Sequence, residues 1–124
     1  MSDQKALILF AHGARDPRWA VPFERLKVIA SAQLPRVAVR LAFLELMTPQ
    51  LPDTVAELTE AGIAAITVVP VFLGQGGHVL RDLPALIAQL RASYPTLQIT
   101  VADAVGESPD VLQAIAGYCV GSMV

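Results

Sequence analysis

Short apolar runs and helix-like stretches alternate four times along this chain, with turn residues at the joins. A strand–helix repeat of this kind specifies a parallel sheet with helices packed on its faces. The first strand is Ala6-Leu7-Ile8-Leu9-Phe10-Ala11, apolar throughout. Asp16-Pro17 supplies an N-cap and first-turn proline for a helix running to about Leu34, in which Pro22 predicts a kink or a late start. The second strand, Val37 to Leu46, carries Arg40 and Glu45 among its apolar residues, and Thr48-Pro49 opens a second helix that Gly62 closes. The third strand, Ile63 to Val71, is apolar apart from Thr67, with Pro70 near its end. Gly74-Gln75-Gly76-Gly77 leads into a third helix ending before Pro95. The fourth strand, Leu97 to Val101, alternates apolar and polar residues, and Ser108-Pro109-Asp110 caps a last helix.

Strand character orders the sheet. Strands one and three are apolar on both faces and belong in the middle, whereas two and four carry polar residues and suit the edges. The order 2-1-3-4 satisfies this with right-handed crossovers. The expected fold is therefore α/β: a three-layer, four-stranded parallel sheet of order 2-1-3-4 with helices on both faces. The 124 residues are room for one domain, read as 1–124. The order also creates a topological switch point between strands one and three, where ligands of open α/β sheets bind beyond the carboxyl ends of the strands.

Composition narrows the function. Hydrophobic residues make up 54% and charged residues 16% of the chain, against about 25% charged in a typical globular chain. Nine basic residues against eleven acids, for a net charge of −2, exert no general pull on phosphate backbones, so no nucleic-acid partner is expected. The apolar excess points to a buried self-interface. One cysteine, Cys119, excludes an internal disulfide framework and a Cys-rich zinc site, and it is expected to be a packing residue. The longest apolar run, Ile63 to Leu73, is broken by Thr67 and Pro70 and falls short of the ~20 residues of a membrane helix. The start, Met1-Ser2-Asp3-Gln4-Lys5, does not read as a secretory signal, so a cytoplasmic protein without a membrane partner is expected.

The two histidines of the sequence both follow central strands. His12 ends the first, in Ala11-His12-Gly13, and His78 comes after the glycine-rich turn beyond the third. Neighbouring strands lie about 4.8 Å apart, so the two imidazoles can converge at the switch point. Glu45 sits near the carboxyl end of strand two, on the other side of strand one. Two imidazoles and a carboxylate on one rim suit a divalent transition metal with coordination positions left open. The plainer alternative is that each histidine is a capping or loop residue.

Other features are less specific. Gly74 to Gly77, including Gly76 and Gly77, could cradle an anion at a helix N-terminus, or could simply give the neighbouring histidine freedom. No Gly-Lys-Ser/Thr follows, so the turn is not a P-loop. Arg15, Arg18 and Arg81 are expected on the same rim, able to meet carboxylates by bidentate pairing or to remain solvated charges. Asp16 and Asp82 read as helix caps, and Trp19, Phe23 and Phe72 as an apolar floor or as core.

Three segments carry a resemblance to a known family. They are Leu9-Phe10-Ala11-His12-Gly13-Ala14-Arg15-Asp16-Pro17, then Leu41-Ala42-Phe43-Leu44-Glu45, then the stretch from Val69 to Pro84 with Gly-Gly-His-Val-Leu-Arg-Asp-Leu-Pro at its end. In these the chain resembles the small sirohydrochlorin cobaltochelatases of the CbiX/SirB family, within the class II tetrapyrrole chelatases. Ala14 departs from the serine common in the family, which removes a hydroxyl but no metal ligand. The resemblance implies a chelatase-like, flavodoxin-related fold, with His12, Glu45 and His78 carrying metal binding and catalysis. It implies a homodimer, since short members pair where long ones hold two facing domains. It also implies a lyase-type reaction of cobalamin- or siroheme-type tetrapyrrole biosynthesis. The divalent metal, Co²⁺ foremost and Ni²⁺ or Fe²⁺ next, is then a substrate, and no permanently bound cofactor is expected.

That chemistry suits the residues. Metal insertion removes two pyrrole N–H protons and hands over a partly desolvated metal. Imidazole is a borderline ligand for such metals and can accept a proton near neutral pH. His12 and His78 are read as ligands and candidate bases, Glu45 as a ligand or proton acceptor, and the arginines as partners for the carboxylates of sirohydrochlorin. Two other readings keep the fold: a non-catalytic metal or tetrapyrrole carrier, and a flavodoxin-like domain binding a phosphorylated ligand through the glycine-rich turn.

Overall fold

Apolar strands β1 (Lys5–Ala11) and β3 (Ala65–Pro70) pair in parallel at the middle of the sheet, with Phe10 opposite Pro70. The computed structural model describes residues 4–74 and 76–123, and of residues 77–80 the backbone alone. Strand β2 (Ala38–Phe43) adds to the outer side of β1 and β4 (Gln98–Val101) to the outer side of β3, both in parallel, giving the order β2-β1-β3-β4. The expected order and the placement of polar strands at the edges are both found. Three helices connect the strands, α1 (Val21–Gln33), α2 (Leu51–Glu60) and α3 (Gly77–Ser93), and α4 (Pro109–Gly121) follows β4.

The period-two alternation of a strand divides β1 between two cores. Ala6, Ile8 and Phe10 pack with Leu51, Val55 and Leu58 of α2 and with Leu83, Ile87 and Leu90 of α3. Leu9 and Ala11 turn the other way, towards Val39, Leu41 and Phe43 of β2, with Phe23 and Ala30 of α1 packed against them. Helices thus cover both faces, but unequally. No residue of α1 or α4 is fully buried, whereas α2 buries four. On the α2/α3 face Ile66 and Val68 of β3 are fully buried, while Ala65, Thr67 and Val69, which point the other way, are only half-buried. The thinly covered face is where the cleft described below opens.

Several local expectations are refined. Asp16 caps a 3-10 helix, Pro17–Ala20, and α1 then begins at Val21 with Pro22 in its first turn, where no amide donor is needed; Pro22 marks a late start. Strand β2 stops at Phe43 rather than Leu46, because the Phe43 amide donates to the Pro49 carbonyl (2.9 Å) and the chain turns back over residues 44–49. The second helix accordingly starts at Leu51 and not at Thr48-Pro49, whose peptide bond is cis. Gly62 follows the α2 C-cap with φ of +91°, the conformation expected of a closing glycine. Asp82 is not a cap: it lies inside α3, with Arg81 Nε 3.9 Å from its Oδ1. Cys119 is not a packing residue either, but exposed, because α4 has no fully buried side chain to share a core with it. Among the described residues, no helix is long and apolar enough to cross a membrane.

Candidate functional site

The carboxyl ends of β1 and β2 are held together beyond their last ladder positions. The Leu44 amide donates to the Ala11 carbonyl (2.9 Å) and the Glu45 amide to the His12 carbonyl (3.1 Å), so the turn after β2 stays zipped to the end of β1. Gly13 makes this approach possible. Its φ is +101°, and a Cβ built there would lie 1.9 Å from the Glu45 carbonyl oxygen. Leu46, the residue after Glu45, has φ of +68°, a left-handed conformation unusual for a non-glycine residue and of the kind that clusters at functional sites.

This backbone brings two of the expected site residues into contact. Nε2 of His12 lies 3.0 Å from Oε1 of Glu45, with side chains 40% and 43% exposed. An imidazole nitrogen and a carboxylate oxygen bind a first-row divalent ion at roughly 2.0–2.2 Å, so two such donors at a right angle around one ion stand about 3 Å apart. The pair has the spacing of neighbouring ligands, and its exposure leaves the remaining positions accessible. Phe72 braces the imidazole, its ring 6.3 Å from that of His12 and near-perpendicular to it, and Phe72 is in turn packed edge-on against Phe10.

The third expected member, His78, falls in the first turn of α3, and its side chain lies outside the described residues, as does Gln75. Gly76 is the N-cap of α3 and Gly77 its first residue, at the carboxyl end of central β3. Among the described residues, no group of three His, Cys, Asp or Glu side chains is drawn together. Arg15 and Arg18 are exposed beyond the end of β1, and Arg81 is exposed near the start of α3. Arg18 is engaged locally: its guanidinium donates to both Asp16 oxygens, at 3.1 Å from Nε and 2.6 Å from Nη2. These bonds, and the Arg18 backbone amide at 2.9 Å, hold the Asp16 carboxyl below the usual carboxylate range, and the carboxylate pushes the Arg18 guanidinium up.

Beside His12 a cleft of about 500 Å³ opens on the thinly covered face. Trp19 and Phe23 form one wall, Val111 and Ile115 of α4 the other, and Val71, Phe72 and Leu73 the base. Its volume is in the range of small-molecule pockets, and its lining is mainly apolar, with His12 as the one titratable side chain among the described residues. Trp19 and Phe23 thus line the cleft, and Phe72 both lines its base and belongs to the buried core, so the floor and core readings each hold in part. The α4 wall was not legible in the sequence; the only signal for it is the unusually apolar last helix. Gly106 fixes that wall, since a Cβ there would lie 1.8 Å from the Leu73 carbonyl oxygen and the Gly106 amide donates to the Phe72 carbonyl (2.9 Å).

Known proteins resemble this chain over most of its length. The family model described as CbiX matches residues 6–117. The sirohydrochlorin cobaltochelatase of Methanopyrus kandleri is 33% identical over 82 residues, which are 66% of this chain and 57% of that protein. The crystal structure of a CbiX protein from Marinobacter aquaeolei VT8 superposes with a TM-score of 0.85 at 32% identity, covering 96% of this chain and 97% of the other. The sirohydrochlorin chelatase SirB of Bacillus subtilis subspecies spizizenii, solved in complex with cobalt, gives a TM-score of 0.81 at 23% identity. There, 96% of this chain matches 51% of the longer one, a likeness of fold.

Proposed function

The chain belongs to the CbiX family, and from that premise we propose that it is a chelatase inserting a divalent metal into sirohydrochlorin, with Co²⁺ the first candidate and Ni²⁺ or Fe²⁺ next. The observation that carries the proposal is the His12–Glu45 pair, 3.0 Å apart beside an apolar cleft at the carboxyl ends of the central strands. The cobaltochelatase name of the Methanopyrus relative supports the choice of metal and macrocycle.

His12 and Glu45 hold the incoming metal as neighbouring ligands, and His78, at the start of α3, is the proposed third. Three protein ligands leave positions for macrocycle nitrogens, so the metal can pass from protein to ring without becoming fully solvated. Two pyrrole N–H protons must leave as it enters, and imidazole or carboxylate released from the metal can accept them. The apolar cleft takes the ring, while the peripheral carboxylates remain near solvent, where Arg15, Arg18 and Arg81 can meet them. Backbone amides at Gly76 and Gly77 are a further proposed contact for an anionic edge.

The proposed working unit is a homodimer of one-domain chains in the cytoplasm. On α4 Tyr118 and Val120 are 79% and 71% exposed, just beyond it Met123 is 81% exposed, and on α1 Val28 and Ile29 are 69% and 56% exposed. Large apolar side chains left this exposed suit an interaction surface. A second copy related by two-fold symmetry would cover it and give the macrocycle a second wall.

The test mixes purified protein with sirohydrochlorin and Co²⁺, Ni²⁺ or Fe²⁺ and follows the absorption spectrum across pH 6 to 9. Insertion faster than in protein-free controls is expected. Spectral binding without any acceleration would replace the enzyme by a carrier.

A further inference from the structure

Tryptophan is costly to leave in water, yet Trp19 is 42% exposed in a part of the chain that is otherwise firmly held. It sits in the 3-10 helix Pro17–Ala20, its amide donates to the Asp16 carbonyl (3.0 Å), and the Asp16 side chain accepts from the next amide (2.9 Å). The indole stands 5.5 Å from the Phe23 ring, tilted at 47°, and lines the cleft. Across the cleft is the aliphatic wall of Val111 and Ile115, and His12 borders the same space. A rigid aromatic plate facing an aliphatic wall, with one imidazole at the border, fits a body that is apolar and flat over most of its area and is acted on at one place. A bare metal ion needs no such wall. A phosphorylated ligand needs cationic side chains, and among the described residues none lines the cleft.

We infer that Trp19 is a substrate-binding residue whose indole stacks on the face of the tetrapyrrole ring and sets the ring's depth relative to His12. The inference rests on the chelatase reading of the same site. It adds that recognition is divided, with stacking at Trp19 holding the ring and the His12–Glu45 pair handling the metal. Loss of the indole therefore weakens binding of the ring even when no metal is present. Loss of His12 costs insertion more than it costs ring binding.

The sequence contains a single tryptophan, so its indole N–H gives one proton resonance. Metal-free sirohydrochlorin is titrated into the protein while this resonance and the macrocycle's absorption are followed. An upfield shift of the indole proton, produced by the ring current of a macrocycle stacked on it, is expected. Trp19→Ala should weaken metal-free binding by about ten-fold or more, with Trp19→Phe restoring most of it, as for an aromatic contact. In turnover, Trp19→Ala should raise KM more than it lowers kcat, whereas His12→Ala should lower kcat by a larger factor than it weakens metal-free binding. An indole resonance that stays in place at saturation, or Trp19→Ala binding as tightly as wild type, overturns the inference whether or not chelation is measured. An indole resonance that moves on dilution alone and ignores sirohydrochlorin also overturns it, by assigning Trp19 to contact with a second copy. Conversely, an upfield shift with no metal insertion under any condition leaves Trp19 as the ring's wall and overturns the chelatase reading.

Discussion

Nε2 of His12 and Oε1 of Glu45 meet at 3.0 Å although the residues are 33 positions apart and lie beyond different strands. The contact is a product of parallel pairing. Once Ala11 stands opposite Phe43, the next amides of the β2 turn find the carbonyls of Ala11 and His12, and the two side chains emerge on one rim. The proposed metal-handling pair is thereby built on rigid strand ends, with Phe72 bracing the imidazole.

Removing either member of the pair should stop the proposed chemistry without unfolding the chain. His12→Ala, Glu45→Ala and His78→Ala are each expected to cut the rate of metal insertion by at least ~100-fold, the lower range for losing a group that transfers protons. Because the His12 and Glu45 side chains are 40% and 43% exposed, the His12 and Glu45 variants should keep their circular dichroism spectra. Insertion at near-normal rates in His12→Ala and Glu45→Ala would refute the assignment.

Gly13 and Gly62 make a matched comparison. Both have positive φ, but a Cβ at Gly62 meets nothing within 4 Å, whereas one at Gly13 runs into the Glu45 carbonyl. Gly62→Ala should therefore cost only the backbone strain, roughly 1–2 kcal/mol. Gly13→Ala adds a steric clash and should exceed ~2 kcal/mol while displacing Glu45 from His12. Urea denaturation of the two variants measures the difference, and equal costs would contradict the close approach.

The exposed face of α4 should govern assembly. Tyr118 is 79% exposed on α4, so Tyr118→Glu tolerates the isolated fold but places a charge in the proposed self-interface. The wild-type chain is expected to sediment as a dimer at micromolar concentration and the variant as a monomer. A monomeric wild type, with and without sirohydrochlorin, would remove α4 as the interface.

The capping pair ahead of α1 carries a pH signature. Asp16 is held below the usual carboxylate range by Arg18, so its contribution to the 3-10 helix is complete above the ordinary carboxylate pKa and is lost as pH falls through its lowered folded value. Arg18→Ala should raise the Asp16 titration midpoint towards the ordinary value, as read by carboxyl chemical shifts. An unchanged midpoint would mean that the guanidinium contact is not maintained in solution.

The sequence by itself determined the sheet order, because burial is written in composition: a strand apolar on both faces, such as β1, has no stable place at an edge. It likewise determined that His12 and Glu45 would share a rim, since both fall at carboxyl ends of adjacent strands. It misjudged the segment from Leu44 to Gln50, where the Phe43 amide bonds to the Pro49 carbonyl and pulls the chain out of the strand; local propensity carries no record of that partner. It also placed Cys119 in a core, because an apolar last helix reads the same whether its face is covered or open. Only the tertiary structure decided that α1 and α4 would leave a gap over the sheet, with Trp19 on one side and Ile115 on the other. That gap depends on how helices of one chain stand apart in space, a relation that neither periodicity nor composition of any single segment contains.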